Sequence, residues 1–172
     1  MRNLEIKTCY PDLDAARRLA RELGAREAAT SRDVDTYFCV PEGRLKLRQA
    51  EGATHGTLIF YQRPDAPESR LSAYHLSHIA DVPSLRSLLH TALGVLVTVT
   101  KTRQLWLYGA TRIHLDQVEG LGNFVELETV LSGQAEAEAQ TEHEHVKRGL
   151  RLREQQPVPA SYSDLLLHGD AP

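Results

Sequence analysis

Residues 112–128 read Arg-Ile-His-Leu-Asp-Gln-Val-Glu-Gly-Leu-Gly-Asn-Phe-Val-Glu-Leu-Glu. Polar and apolar residues alternate on both sides of Glu119-Gly120-Leu121-Gly122, a period of two that belongs to extended chain. Thr111–Val118 and Asn123–Leu131 are therefore two strands joined by a short turn. In a strand, residues i, i+2 and i+4 share a face. Arg112, His114 and Asp116 thus point one way, as do Glu126 and Glu128, while Leu115, Val125 and Leu127 form the opposite, apolar face.

The same pattern recurs through the chain. Residues 3–9 set Asn3, Glu5, Lys7 and Cys9 against Leu4, Ile6 and Thr8. Thr36–Val40 reads as a strand after a polar segment, and the turn Pro41-Glu42-Gly43 leads into Arg44–Ala50. Thr57–Arg63 and Arg70–His78 follow, separated by the break from Pro64 to Pro67; Val95–Lys101 and Gln104–Tyr108 come later. Two amphipathic helices interrupt the strands: one carries Leu13, Ala16, Leu19, Ala20 and Leu23 and stops at Gly24. The other starts at Asp81-Val82-Pro83-Ser84, carries Leu85, Leu88, Leu89 and Leu93, and stops at Gly94. Gly133 to Arg151 reads as a solvated helix, and residues 161–167 as a docked terminal segment. About eight strands and three helices, with hairpin-length connections, predict an α+β chain around a mainly antiparallel sheet, curled or closed to hide its edges.

A chain of 172 residues is one domain's length, expected to span 1–172. No apolar run approaches the ~20 residues of a membrane span, and the first residues lack the apolar core of a secretory signal. The expected location is cytoplasmic. Net charge −3 argues against a nucleic-acid-binding surface. Cys9 and Cys39 are too few for a disulfide framework and too scattered for zinc, so both are expected as buried thiols.

The polar face is unusual in its charge. Arg44, Lys46 and Arg48 share a face, as do Tyr61 and Arg63, Lys101 and Arg103, and Glu5 and Lys7. A solvent-facing sheet mixes Ser, Thr, Gln, Lys and Glu; here Arg or Lys repeats on strand after strand, with carboxylates confined to the first and the last two. Turned inward by closure, this face becomes a basic lining beside a carboxylate cluster. Guanidinium and ammonium groups hold phosphate oxygens, and hard carboxylate oxygens hold Mg²⁺ or Mn²⁺.

These residues resemble the CYTH proteins, or triphosphate tunnel metalloenzymes, which include class IV adenylate cyclases and thiamine and inorganic triphosphatases. The resemblance rests on Asn-Leu-Glu-Ile-Lys at 3–7, Asp35-Thr36-Tyr37-Phe38, Gly43-Arg44-Leu45-Lys46-Leu47-Arg48, Arg112-Ile113-His114-Leu115-Asp116 and Gly122-Asn123-Phe124-Val125-Glu126-Leu127-Glu128, in that order. It implies a closed or nearly closed eight-stranded antiparallel tunnel with a charged bore and flanking helices. It also implies a metal-dependent phosphohydrolase of triphosphate compounds, with cyclic AMP synthesis from ATP and non-catalytic polyphosphate binding as alternatives. Carried over by position, Glu5, Asp116, Glu126 and Glu128 would hold Mg²⁺ or Mn²⁺. Lys7, Lys46, Arg48, Arg63, Arg70, Lys101, Arg103 and Arg112 would hold phosphates, and Glu5, Lys7 and Arg63 would form the catalytic set. Two positions depart from the family: Asn3 stands where the Glu-x-Glu-x-Lys signature begins, and Arg63 where many hydrolytic members carry Lys.

The remaining motifs are weaker. His143-Glu144-His145 places two histidines at i and i+2, which do not meet on a helix, and both are expected exposed. Gly120-Leu121-Gly122 joins strands and is a hairpin rather than a nucleotide loop. Trp106 and Tyr108 are given no role, and Ser161 and Ser163 lack the context of a nucleophile.

Overall fold

The computed structural model describes residues 2–131 and 135–169. Eight strands, β1 (Arg2–Cys9), β2 (Arg26–Phe38), β3 (Arg44–Ala50), β4 (Gly56–Gln62), β5 (Arg70–Ile79), β6 (Val95–Tyr108), β7 (Thr111–Val118) and β8 (Gly122–Val130), form a closed barrel in the order β1-β5-β4-β3-β2-β6-β7-β8. Each neighbouring pair is antiparallel. β8 closes the barrel against β1, with Glu5 opposite Glu128 and Lys7 opposite Glu126. Closure leaves no free edge, and it sends alternate side chains of every strand inward and outward.

The barrel is packed on its outside. Helix α1 (Leu13–Glu22) and helix α3 (Glu136–Gly149) lie against Ile6, Trp106, Ile113, Leu115, Val125 and Leu127, which with Ala16, Ala20, Val146 and Leu150 form the main apolar core. Helix α2 (Val82–Leu93) covers Phe38 and Leu47 with Val82, Leu85 and Leu89. Burying apolar faces under helices stabilises the wall by roughly 1.5–3 kcal/mol per fully buried large side chain, leaving the bore free to be polar. Each helix starts at a side-chain cap: Asp12 accepts from Ala15 N at 2.9 Å, and Asp81 from Ser84 N at 3.1 Å. α3 is the exception, with Ala135 at its N-cap. Between β2 and β3, Gly43 has φ +69°, and a Cβ there would lie 2.8 Å from the Phe60 ring, so both conformation and space demand glycine.

After a 3₁₀ turn at Leu152–Glu154, the C-terminal segment crosses one end of the barrel. Cys9 N donates to Gln156 O and Val158 N to Lys7 O, each at 2.9 Å, and Thr8 bridges Pro157. Helix α4 (Tyr162–His168) then starts with a Ser161–Asp164 capping box and buries Tyr162 and Leu165 beside Phe124, Val99 and Val118.

Several sequence expectations need correction. β2 begins at Arg26, ten residues before the expected strand, because its first turns are exposed on both faces and carry no apolar alternation. Val95–Lys101 and Gln104–Tyr108 are one continuous strand, in which Thr102 points out between the inward Lys101 and Arg103. α3 is not fully solvated: Ala139, His143 and Val146 are buried at i, i+4 and i+7. Residues 133 and 134, expected to open that helix, lie outside the described residues, as do Met1 and residues 170–172 of the expected domain. His143 is fully buried, Cys39 is exposed and Cys9 is half-buried. Trp106 is a core residue. No helix among the described residues is long and apolar enough to cross a membrane.

Candidate functional site

Most of the alternating charged residues line the bore; Arg44 instead pairs with Asp65 and Asp164, each at 2.7 Å. Glu5, Lys7, Lys46, Arg48, Arg63, Lys101, Arg103, Arg112, Glu126 and Glu128 line one cavity of about 230 Å³. Asp116 and Arg70 do not line it. Both Asp116 oxygens are occupied, by Arg103 at 2.7 and 2.5 Å and by the Tyr162 hydroxyl at 2.9 Å. Arg70 lies 3.6 Å from Glu5 and donates to Ala66 O, with two further guanidinium nitrogens buried and unbonded.

The cations are organised by a carboxylate that the sequence reading left unassigned. Asp35, 1 % exposed, accepts both forks of Arg48 at 2.7 Å, Lys101 at 2.8 Å and Lys46 at 3.2 Å. Burial alone would raise the Asp35 pKa, but Arg48, Lys101 and Lys46 overcome it and hold the carboxyl well below its ordinary value. Burial, with Arg48 nearby, brings Lys101 down to about 7 although Asp35 opposes the change. Asp35, quoted in the resemblance motif, was given no role because the strand was expected to start at Thr36, which left Asp33 and Asp35 in the polar segment before it. Period-two spacing from Tyr37 back to Asp33 is the signal that could have found them.

Across the bore, His114, Glu126 and Glu128 each present a donor atom, all within 4.8 Å of one another. Lys7 stands 3.8 Å from Glu126, Arg103 2.9 Å from it, and Arg112 2.8 Å from Glu128. Burial works to raise both glutamates. Lys7, His114 and Arg103 nevertheless hold Glu126 well below its usual range, and His114 and Arg112 lower Glu128. Glu5 faces the same carboxylates across the β1–β8 pairing. Burial and the neighbouring Glu126 and Glu128 raise its pKa, although Arg63 sits 3.0 Å away. Burial brings Lys7 down to about 8.

Two buried polar atoms on the strands that carry these carboxylates and their neighbours lack partners. The Asn3 amide oxygen and His114 Nδ1 are buried without hydrogen-bond partners, and Asn3 lines the cavity with Glu5, Glu126 and Glu128. A buried polar atom without a partner is costly. The carboxylate oxygens of Glu126 and Glu128 with the His114 imidazole form a donor set suited to a divalent cation. His114 was placed on this face by its spacing but not assigned to the metal group.

Arg63 is held on three sides, by Glu5, by Asp65 at 3.2 Å and by Pro159 O at 2.9 Å. The C-terminal segment adds further contacts. Ala160 O accepts from Lys7 Nζ at 3.2 Å, and the Tyr162 ring lies 4.1 Å beneath the same ammonium. Tyr37, Tyr61, Tyr74, Ile59 and Leu76 also line the bore; of these the sequence reading singled out Tyr37, in the 35–38 motif, and Tyr61, as a neighbour of Arg63.

Comparisons with solved structures agree with this architecture. The "Structure of PH1012 protein" from Pyrococcus horikoshii OT3 superposes with a TM-score of 0.83 at 21 % identity, covering 95 % of this chain and 98 % of that one. A candidate adenylate cyclase from Vibrio parahaemolyticus gives 0.76 at 20 % identity, covering 96 % and 97 %. A candidate adenylyl cyclase from Hippeastrum, described as having a dominant triphosphatase activity, gives 0.63 at 15 % identity, covering 97 % and 96 %. At these identities the likeness is one of fold. No curated protein matches the chain in sequence. The CYTH domain model matches residues 1–162, from the strand that carries Asn3, Glu5 and Lys7 to the tyrosine that closes the bore, and the chain belongs to the CYTH domain family.

Proposed function

We propose that the chain is a metal-dependent phosphohydrolase of triphosphate compounds. The observation that carries this reading is the meeting, around one cavity, of the Lys46, Arg48, Lys101 and Arg103 cations with the His114, Glu126 and Glu128 donor group. A linear triphosphate carries charge along its length, and the cations from β3, β6 and β7 offer a matching series of donors. Guanidinium forks from Arg48, Arg103 and Arg112 bind pairs of phosphate oxygens, and Lys46 and Lys101 add point charges.

Glu126, Glu128 and His114 would hold Mg²⁺ or Mn²⁺, with the Asn3 oxygen and Glu5 beside them. Bound there, the cation neutralises phosphate charge and acts as a Lewis acid. Hydrolysis requires water to attack a phosphorus in line with the departing oxygen. The chain's part is to fix the phosphate chain and to meet the charge that develops on the transferring group, which pre-oriented cations do effectively. The contribution of Arg63, 3.0 Å from Glu5, is to position that carboxylate and bind phosphate.

The test is incubation of the protein with tripolyphosphate, thiamine triphosphate and ATP, with Mg²⁺ or Mn²⁺. Metal-dependent release of orthophosphate is expected. Cyclic AMP with pyrophosphate would assign a cyclase instead, and binding without turnover would assign a triphosphate-binding protein; either overturns the hydrolase reading.

A further inference from the structure

Helix α3 turns an imidazole towards the barrel in a stripe that is otherwise apolar. Its buried residues are Ala139, His143 and Val146, and His143 is fully enclosed. Burying an imidazole there is costly unless both ring nitrogens are bonded. Both are: Nδ1 lies 2.9 Å from Thr129 Oγ1 and Nε2 lies 3.0 Å from Ser69 Oγ. The contacts continue at each end. Thr129 Oγ1 lies 2.8 Å from Thr111 Oγ1, which donates to Glu142 Oε1 at 2.6 Å, and Lys147 Nζ donates to Ser69 Oγ at 3.3 Å.

The two ends fix every proton between them. A carboxylate only accepts, an ammonium only donates, and a hydroxyl has one hydrogen to give. Thr111 gives its hydrogen to Glu142, so Thr129 donates to Thr111, and His143 Nδ1–H donates to Thr129. At the other end Ser69 Oγ accepts from Lys147, and its own hydrogen goes to Nε2 of a neutral ring. The chain of hydrogen bonds therefore runs one way, from Lys147 to Glu142, and holds His143 in a single tautomer.

Ser69 is the last residue of the irregular connection 63–69 between β4 and β5. Pro64, Asp65, Pro67 and Glu68 are exposed, and none of residues 64–69 joins an apolar cluster among the described residues. This connection nevertheless orients three arginines. Asp65 accepts from Arg44 at 2.7 Å and from Arg63 at 3.2 Å, and Ala66 O accepts from Arg70. Arg63 and Arg70 in turn reach Glu5, at 3.0 and 3.6 Å. A segment without apolar packing needs a fixed point apart from the groups it orients, and His143 and Lys147 hold Ser69 from outside the bore. We propose that His143 and Ser69 are positioning residues for the triphosphate site proposed above: through the 63–69 connection they keep Asp65 on Arg63 and Ala66 on Arg70, and so keep both guanidinium groups on Glu5. Neither residue touches the substrate.

Two substitutions separate positioning from plain stability. Ser69→Ala frees the connection, whereas Thr129→Val breaks the bond on the far side of the same ring and leaves Ser69 held. In calorimetry on the whole protein with Mg²⁺, Ser69→Ala should bind tripolyphosphate about tenfold more weakly than the wild type, and Thr129→Val within about twofold of it. Equal losses in the two variants, or none in Ser69→Ala, overturn the proposal and leave the triphosphate reading intact. The protein without ligand gives a second readout. In ¹⁵N spectra the Arg63 and Arg70 Nε–H resonances should move in Ser69→Ala and stay in place in Thr129→Val, and His143 should carry its proton on Nδ1 alone. Arginine resonances that move in both variants or in neither, or a proton on His143 Nε2, overturn the proposal. If the wild type binds no tripolyphosphate, the triphosphate reading falls, and these spectra alone decide whether His143 and Ser69 position the two arginines.

Discussion

Replacing Asp35 by Asn tests how the cationic wall is held together. The substitution preserves shape but removes the charge that faces Arg48, Lys101 and Lys46 at 2.7 to 3.2 Å. Hydrogen bonds to charged groups are worth about 1.5–3 kcal/mol each, yet a simple sum overstates the loss. Asp35 is among the groups that raise the pKa of Lys101; without it that pKa falls from about 7, and the lysine sheds its proton at neutral pH rather than remain a buried, unpaired charge. Breaking a buried ion pair by removing one partner costs about 3–5 kcal/mol, and at roughly 2–4 °C per kcal/mol for a chain of this size the melting temperature should fall by about 6–20 °C. Thermal denaturation at pH 7.5 to 8 with and without tripolyphosphate is the assay. The anion supplies the charge that the carboxylate supplied, so it should raise the melting temperature of Asp35→Asn more than that of the wild type. A fall below about 2 °C, or a smaller ligand-induced rise in the variant, would refute the argument.

Glu126→Gln with Glu128→Gln should abolish Mg²⁺ binding by calorimetry; an unchanged binding heat removes both from the metal group. Asn3→Glu adds a hard oxygen ligand beside Glu5 and should tighten Mg²⁺ binding several-fold while lowering stability in chelator, because the added carboxylate joins like charges; unchanged affinity would show that the Asn3 oxygen faces something else. Burial, with Lys147 nearby, lowers the His143 pKa from 6.5 to about 4, so the unfolded chain takes up the proton first and stability falls as pH drops from about 6.5 towards 4. The loss reaches about 3 kcal/mol, and denaturant titrations of wild type and His143→Gln across that window should converge at low pH; parallel curves would exclude His143 as their source.

The closed barrel was legible because its inner face is charged. An apolar lining would have merged with the outer face into featureless hydrophobic strands, whereas Arg44, Lys46 and Arg48 against Leu45 and Leu47 declare the alternation in five residues. Legibility failed wherever a residue's two sides are both polar. The first half of β2 is exposed, so Val34 stands without the apolar run that would mark the face opposite Asp33 and Asp35. Thr102 separates Lys101 from Arg103 and reads as a turn although the ladder to β7 runs through it. His143 was hidden for a related reason. Its ring is buried by hydrogen bonds to the Thr129 and Ser69 hydroxyls, at 2.9 and 3.0 Å, and no spacing within α3 reports partners 14 and 74 residues away. The tyrosines of the bore come from three distant segments, β2, β4–β5 and α4, and only closure brings them together.

The pairing of β8 with β1 also sets the order in which the chain can become what it is. Glu5 waits for Glu128, and Lys7 for Glu126, across more than a hundred residues of intervening chain, a long-range closure of the kind that makes β-rich folds slow to form. Until β8 emerges, Arg48, Lys46 and Lys101 can gather around Asp35 on β2, β3 and β6, while Lys7 and Arg103 still lack the Glu126 carboxylate that will face them. The growing barrel is therefore an open, basic sheet with two free edges for most of its synthesis. Polyanions in the surrounding solution can occupy those cations before the protein's own glutamates arrive, and refolding in the presence and absence of tripolyphosphate would reveal this as a change in the rate of barrel closure.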